Sequence, residues 1–168
     1  LASNINESRY DRFTILDNTG KSNKLGWNWR LGNDIYGELS ASENQAIAGF
    51  TEVRQPVKNL RTTSRQIASV HWDFHPDWTV DAARDHVKTE NELISLNGSD
   101  RDDDAFEVGL RYQNPLGTQL GLAYRILDSD FPNRAISILG GETTKKDIIV
   151  TAAWLPTAKT KISTRVSQ

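Results

Sequence analysis

Apolar residues recur at every second position in short blocks along this chain, and most blocks are followed by a turn and a second block of the same period. In residues 68–74, Ala68, Val70, Trp72 and Phe74 share one parity while Ser69, His71 and Asp73 share the other, the period of a strand with two unlike faces. After a proline turn, Trp78, Val80 and Ala82 alternate with Thr79, Asp81 and Ala83. Directly opposed residues share a face. The expected register therefore pairs Phe74 with Trp78 and Trp72 with Val80, leaves His75, Pro76 and Asp77 as the connection, and sets His71 opposite Asp81.

The same device recurs. Leu25, Trp27, Trp29 and Leu31 alternate with Gly26, Asn28 and Arg30, and Ile35, Gly37 and Leu39 follow against Tyr36 and Glu38. Pairing Leu31 with Ile35 turns the chain at Gly32, Asn33 and Asp34 and lays Trp29 over Gly37, an aromatic covering a strand glycine. Phe106, Val108, Leu110 and Tyr112 alternate with Glu107, Gly109 and Arg111; beyond NPLG, Leu120, Leu122, Tyr124 and Ile126 alternate with Gly121, Ala123 and Arg125. Glu107 then faces Arg125 on the polar side. KDIIVTAAW and KISTRV flank LPTAKT, with Ile148, Val150, Ala152 and Trp154 on the side of Ile162 and Val166, and RYDRFTIL at 9–16 reads as a weaker first strand.

Between the tight hairpins lie polar connections: DNTGKSNK, ENQAIAGFTEVRQPVKNLRT, KTENELISLNGSDRDDD and DSDFPNRAISILGGETT. Short and long connections alternate, and strands of about nine to eleven residues suit a tilted crossing of a bilayer. Phe74, Trp78, Tyr112 and Trp154 gather near the short turns, where an interfacial girdle would lie. The expected fold is all-β: an antiparallel up-and-down transmembrane β-barrel, or a large segment of one, with short periplasmic turns and long extracellular loops. The strand count is odd, about nine, whereas bacterial single-chain barrels use even numbers. Residues 1–168 are therefore expected to be a single barrel segment, a fragment of a longer barrel, and a start without methionine and a stop at TRVSQ inside an apparent strand point the same way. The competing fold is a soluble ligand-binding barrel with its apolar face turned inward.

Composition excludes some classes. With 37% hydrophobic and 25% charged residues and a mean hydropathy of -0.57, no run approaches the roughly 18 apolar residues of a spanning helix. A helical membrane protein is excluded; a barrel is not, because its strands alternate. A net charge of -2, a pI near 5.9 and the lack of a basic cluster or stripe argue against a general binder of nucleic acid or of anionic lipid. The absence of cysteine removes disulfides, thiol catalysis and cysteine zinc sites.

On the polar parity stand Arg30, Tyr36, Glu38, His71, Asp73, Asp81, Glu107, Arg111 and Arg125. Inside a barrel these would line the lumen, either hydrogen-bonding a passing chain weakly enough to release it or bridging strands and stiffening the wall. Arg61 in NLRT and Arg134 in FPNR fall in the long connections, where they would either fold into the mouth as a constriction or pin the loops. His71 with Asp81, Asp73 and Asp85 is the one set resembling an acid and base array. It lies beside a short turn, at the periplasmic end of such a barrel, and no GxSxG, phosphate loop or HExxH accompanies it. His71 and His75 flank Asp73, but Pro76 follows and no fourth ligand is near. Neither catalysis, nor a metal, nor a cofactor is expected; the alternative is a barrel enzyme using His71, Asp73 and Asp81.

The succession LGWNWRLGNDIYGELSAS, GFTEVRQPVKNLRT, HWDFHPDW, EVGLRYQNPLG and LAYRILDSDFPNR resembles the EpsL-type outer-membrane proteins of exosortase-associated exopolysaccharide gene clusters. The match covers most of the chain in order, and NLRT, HPDW and FPNR are its most specific pieces. The resemblance implies a β-barrel in the outer membrane of a Gram-negative bacterium that takes part in making or exporting an extracellular polysaccharide. Outer-membrane lipid, the polysaccharide and periplasmic export components are the partners this implies. It carries over no catalytic residue.

Overall fold

Nine antiparallel strands follow one another in chain order across a single sheet. They are β1 (Ala2–Ser8), β2 (Asn18–Leu31), β3 (Ile35–Ile47), β4 (Leu60–His75), β5 (Trp78–Asn91), β6 (Arg101–Gln113), β7 (Gln119–Asp130), β8 (Glu142–Thr157) and β9 (Thr160–Ser167). The structure, a computed structural model, describes residues 1–48, 58–134, 141–157 and 160–167, with side chains as far as Trp154. The GFTEVRQPV part of the second connection, residues 135–140 of the fourth, residues 158–159 of LPTAKT, and the side chains of Ile162 and Val166 lie outside that description. Among the described residues no helix is long and apolar enough to cross a membrane.

The hairpin registers follow from the alternation. Leu31 pairs with Ile35 and Trp29 with Gly37, across a turn where Gly32 takes a φ of 66°, a left-handed value that glycine adopts without a Cβ clash. Glu107 pairs with Arg125, and Trp154 with Ile162. In β4–β5, Trp72 pairs with Val80 and His71 with Asp81 as the pattern requires, but His75, not Phe74, pairs with Trp78. A bulge between Trp72 and His75 takes up the extra residue, and Thr79 Oγ1 donates to Asp73 Oδ1 across it at 2.6 Å. The connection is thereby only Pro76 and Asp77.

Two other expectations are corrected. RYDRFTIL is not a strand: Thr14–Leu16 forms a short 3-10 turn and the first strand lies earlier. Leu16 is buried while Phe13 and Ile15 are exposed, and the Tyr10 N–H donates to Asp17 Oδ1 at 2.8 Å, which closes a loop instead of extending a ladder. The strands are also longer than nine to eleven residues: β2 has 14, β4 has 16 and β7, at 12, is the shortest from β2 to β8. The ends of each long polar connection are strand, paired through polar contacts such as Gln45 Nε2 to Thr62 Oγ1 at 3.3 Å and Thr144 Oγ1 to Asp128 Oδ1 at 2.6 Å. The ladder continues where the apolar alternation stops.

This divides the sheet into two zones. An apolar band next to the short turns runs through Leu25–Leu31, Ile35–Ala41, Ala68–Phe74, Trp78–Ala82, Phe106–Tyr112, Leu120–Ile126 and Ile148–Trp154; seven residues cover roughly 20 Å along a strand. Beyond it a polar collar of paired strand leads to the long connections. Within the band the apolar face is the exposed one, with Leu31 68%, Trp27 62% and Leu122 57% accessible. The side chains of His71 and Asp81 on the opposite face are 30% and 29% accessible, and Ile149 there is 4% accessible.

The sheet is not closed. Among the described residues β1 and β9 share no contact, and β1 pairs only with Asn18–Lys24 of β2, so Leu25–Leu31 has no neighbour on its outer side.

Candidate functional site on the polar face

In-register pairing brings Arg30, Tyr36, His71 and Asp81 into one row across β2 to β5, because Arg30 opposes Tyr36, Tyr36 opposes His71 and His71 opposes Asp81; Arg111 of β6 joins it diagonally, since Asp81 itself opposes Gly109. The contacts are continuous. The Arg30 guanidinium lies 5.3 Å from the Tyr36 ring centre, within cation–π range. Tyr36 stacks on His71 at 5.1 Å, His71 Nδ1 lies 2.5 Å from Asp81 Oδ1, and Arg111 Nη2 donates to the same oxygen at 3.2 Å. One carboxylate thus holds an imidazole and a guanidinium from strands on either side of its own. Tyr36, His71 and Asp81 are each contacted from two sides, as in a connected polar network.

Two recesses flank it. One, of about 390 Å³, lies between Asn28, Arg30, Glu38, Ser69 and His71. The other, of about 170 Å³, is lined by Asp81, Glu107, Arg111 and Thr151 over the small residues Gly109 and Gly121. Glu107 and Arg125 stand opposite each other but are not joined by an ion pair. Asp73 is not assembled with His71 and Asp81, since it accepts from Thr79 instead. Among the described residues no group of three or more histidines and carboxylates has a metal-holding arrangement.

The NLRT and FPNR pieces meet in a second site, at the collar end. Asn59 is 0% accessible; its Nδ2 donates to Asn91 Oδ1 at 2.9 Å, and its Oδ1 accepts from the Leu93 N–H at 3.2 Å. Asn91 donates from its backbone N–H and its Nδ2 to Asp100 Oδ1 at 2.7 and 2.9 Å, and Asn133 Nδ2 donates to Asp100 Oδ2 at 2.9 Å. Arg61 lies in β4 rather than in a connection, its Nε 3.4 Å from Asn91 Oδ1. Arg134 packs its guanidinium 3.6 Å from the centre of the Phe131 ring. In both motifs the residues hold loops together. Asn91 and Asp100 carried no signal in the alternation: Asn91 pairs in register with Arg61 in a stretch that is polar on both parities, and Asp100 lies in the connection before β6.

Ion pairs invisible to a reading of directly opposed residues also line the sheet. Arg65 binds Asp85 at 2.8 and 2.7 Å and Arg84 binds Asp104 at 2.9 and 2.6 Å; both are diagonal pairs, two residues out of register on the same face. In the collar the hydrogen bond from Arg84 holds the Asp104 carboxyl below its ordinary value. No protein-family model, curated protein or solved structure matches the chain.

Proposed function

We propose that this sheet is a sector of an outer-membrane β-barrel whose polar wall serves as a conduit or scaffold for an exopolysaccharide, without catalysis. The observation that carries the reading is the inverted exposure: large apolar side chains stand out in a continuous band while charged side chains occupy the more enclosed face, as lipid outside and water inside require. A soluble barrel would have the opposite arrangement. The likeness of LGWNWRLGNDIYGELSAS, HWDFHPDW and the pieces after them to EpsL-type proteins supports the polysaccharide. Its partners in this reading are outer-membrane lipid, the polysaccharide and periplasmic export components.

Planar-bilayer conductance of the refolded protein, with and without extracellular polysaccharide from the same organism, tests it. Stable channels that the sugar blocks are expected. A barrel that inserts but never conducts retains only the scaffold form, and a protein that stays in solution without detergent overturns the reading.

The 2.5 Å contact of His71 with Asp81 favours a second reading, an outer-membrane barrel enzyme with His71 as base and Asp81 as its orienting acid. Alanine at position 71 separates the two. A conduit keeps its conductance, whereas an enzyme loses turnover.

A further inference from the structure

Arg84 continues the parity of Trp78, Val80 and Ala82, so a cation stands on the apolar face, at the border of band and collar. In register with it across β4 and β3 come Ala68 and Leu39, and in the next row Ala41 lies two strands from His86. Ala68 is the low middle of the first row, and Ala41, with Gln66 between it and His86, is a low position in the second. A groove of about 600 Å³ runs over them, with Leu25 and Trp27 at one end and Arg84 and His86 at the other. Its three strand spacings of about 4.8 Å make it roughly 14 Å long. No carboxylate lines it.

The cationic end keeps free donors. Arg84 uses Nε and Nη2 on Asp104, which leaves other N–H groups of a five-donor fork. His86 Nδ1 lies 3.3 Å from Asp102 Oδ1 but makes no hydrogen bond. Asp102 and Asp104 face Arg84 and His86 from β6, and Lys88, farther along β5, is occupied by Glu90 at 2.8 Å. Both acids lie on the side away from the groove, so the remaining donors of the exposed Arg84 guanidinium are left to a ligand, with His86 beside it.

We infer that the groove takes one acyl chain of a membrane lipid with a net-negative phosphate headgroup, the chain over Ala41 and Ala68 and the phosphate against Arg84 and His86. This rests on the outer-membrane reading. An apolar trough matches the chain, and Arg suits a phosphate through its fork of donors. A zwitterionic headgroup carries its own cation into this positive end and gains less.

The test uses the protein in phosphatidylcholine vesicles containing either brominated phosphatidylglycerol or brominated phosphatidylcholine at equal mole fraction. Quenching of Trp27 is read as the difference between the native chain and Trp27→Phe. A preference of about tenfold for the anionic lipid is expected, the lower end of a charge-assisted contact. Ala68→Leu, which fills the trough, removes that preference, while Ala82→Leu, on the same face outside it, keeps it. Arg84→Gln combined with Asp104→Asn, which removes the ion pair as a unit, brings both lipids to the same level. Equal quenching by the two lipids, or a preference that survives Ala68→Leu, overturns the lipid site and leaves the barrel reading intact. Tryptophans quenched by neither lipid overturn both.

Discussion

The indole of Trp29 fills the space that a side chain at Gly37 would need. A Cβ built on Gly37 comes 2.6 Å from Trp29 Cζ2 and overlaps the carbonyl oxygen of Ser69 on the neighbouring strand. The contact seals a thin place in the sheet, where the apolar face has no side chain of its own.

Gly37→Ala is accordingly expected to destabilise the fold by about 1–3 kcal/mol, the cost of forcing a methyl group into packed space. The midpoint of urea unfolding measures it. Adding Trp29→Ala restores only part of the loss, because the Ser69 carbonyl still meets the new methyl group; full recovery would place the whole conflict at the indole.

Asp81 is the shared acceptor of His71 and Arg111. Asp81→Asn keeps the shape and removes the charge, and is expected to cost about 1 kcal/mol, a charge-assisted hydrogen bond discounted for partial exposure. Unfolding midpoints of Asp81→Asn, Arg111→Gln and the double variant should be non-additive. Strict additivity would show that the row does not act as a unit.

Asp100 ties β5 to two of the long connections through Asn91 and Asn133. Limited proteolysis of Asp100→Ala is expected to cut within residues 92–100 and 131–134 several-fold faster than in the native chain, with the strands unaffected, since local opening requires only these bonds to break. Unchanged loop cleavage would mean that other contacts hold them.

Asp104 titrates below the ordinary carboxylate range because Arg84 hydrogen-bonds its charged form. The stability this pair contributes is complete above the unfolded carboxylate value and is lost as pH falls through the lowered folded value. A carboxyl-carbon NMR titration should find Asp104 titrating below an unpaired aspartate, and Arg84→Gln should move it upward. A midpoint insensitive to that substitution would remove the pair as the cause.

The apolar band was legible because its alternation reports a contrast between two faces, and that contrast fixed the registers of Trp29 with Gly37 and Glu107 with Arg125. The collar was not legible. There Asn, Ser, Thr, Asp and Lys occupy both parities, and the chain resembles loop although its backbone ladder continues through Gln45 and Thr62. Hairpin geometry was read to within one residue; the bulge at Asp73 and Phe74 escaped, because Pro76 and Asp77 form a two-residue turn that parity counts as three. The row from Arg30 to Asp81 follows from parity, whereas the diagonal pairs Asp81–Arg111, Arg65–Asp85 and Arg84–Asp104 need the register first.

The uncovered stretch Leu25–Leu31 at one margin, with β9 at the other, has an energetic consequence for the sheet as a sector of a membrane barrel. In hydrocarbon no water replaces a missing neighbour, and each backbone N–H or C=O left unpaired costs several kcal/mol. The outward-directed groups of a seven-residue margin would by themselves exceed the roughly 5–15 kcal/mol by which a typical domain is stable. In that reading bilayer entry and edge pairing are a single cooperative event: the sheet would enter a bilayer only together with the strands, from its own polypeptide or another copy, that complete its hydrogen-bond ladder.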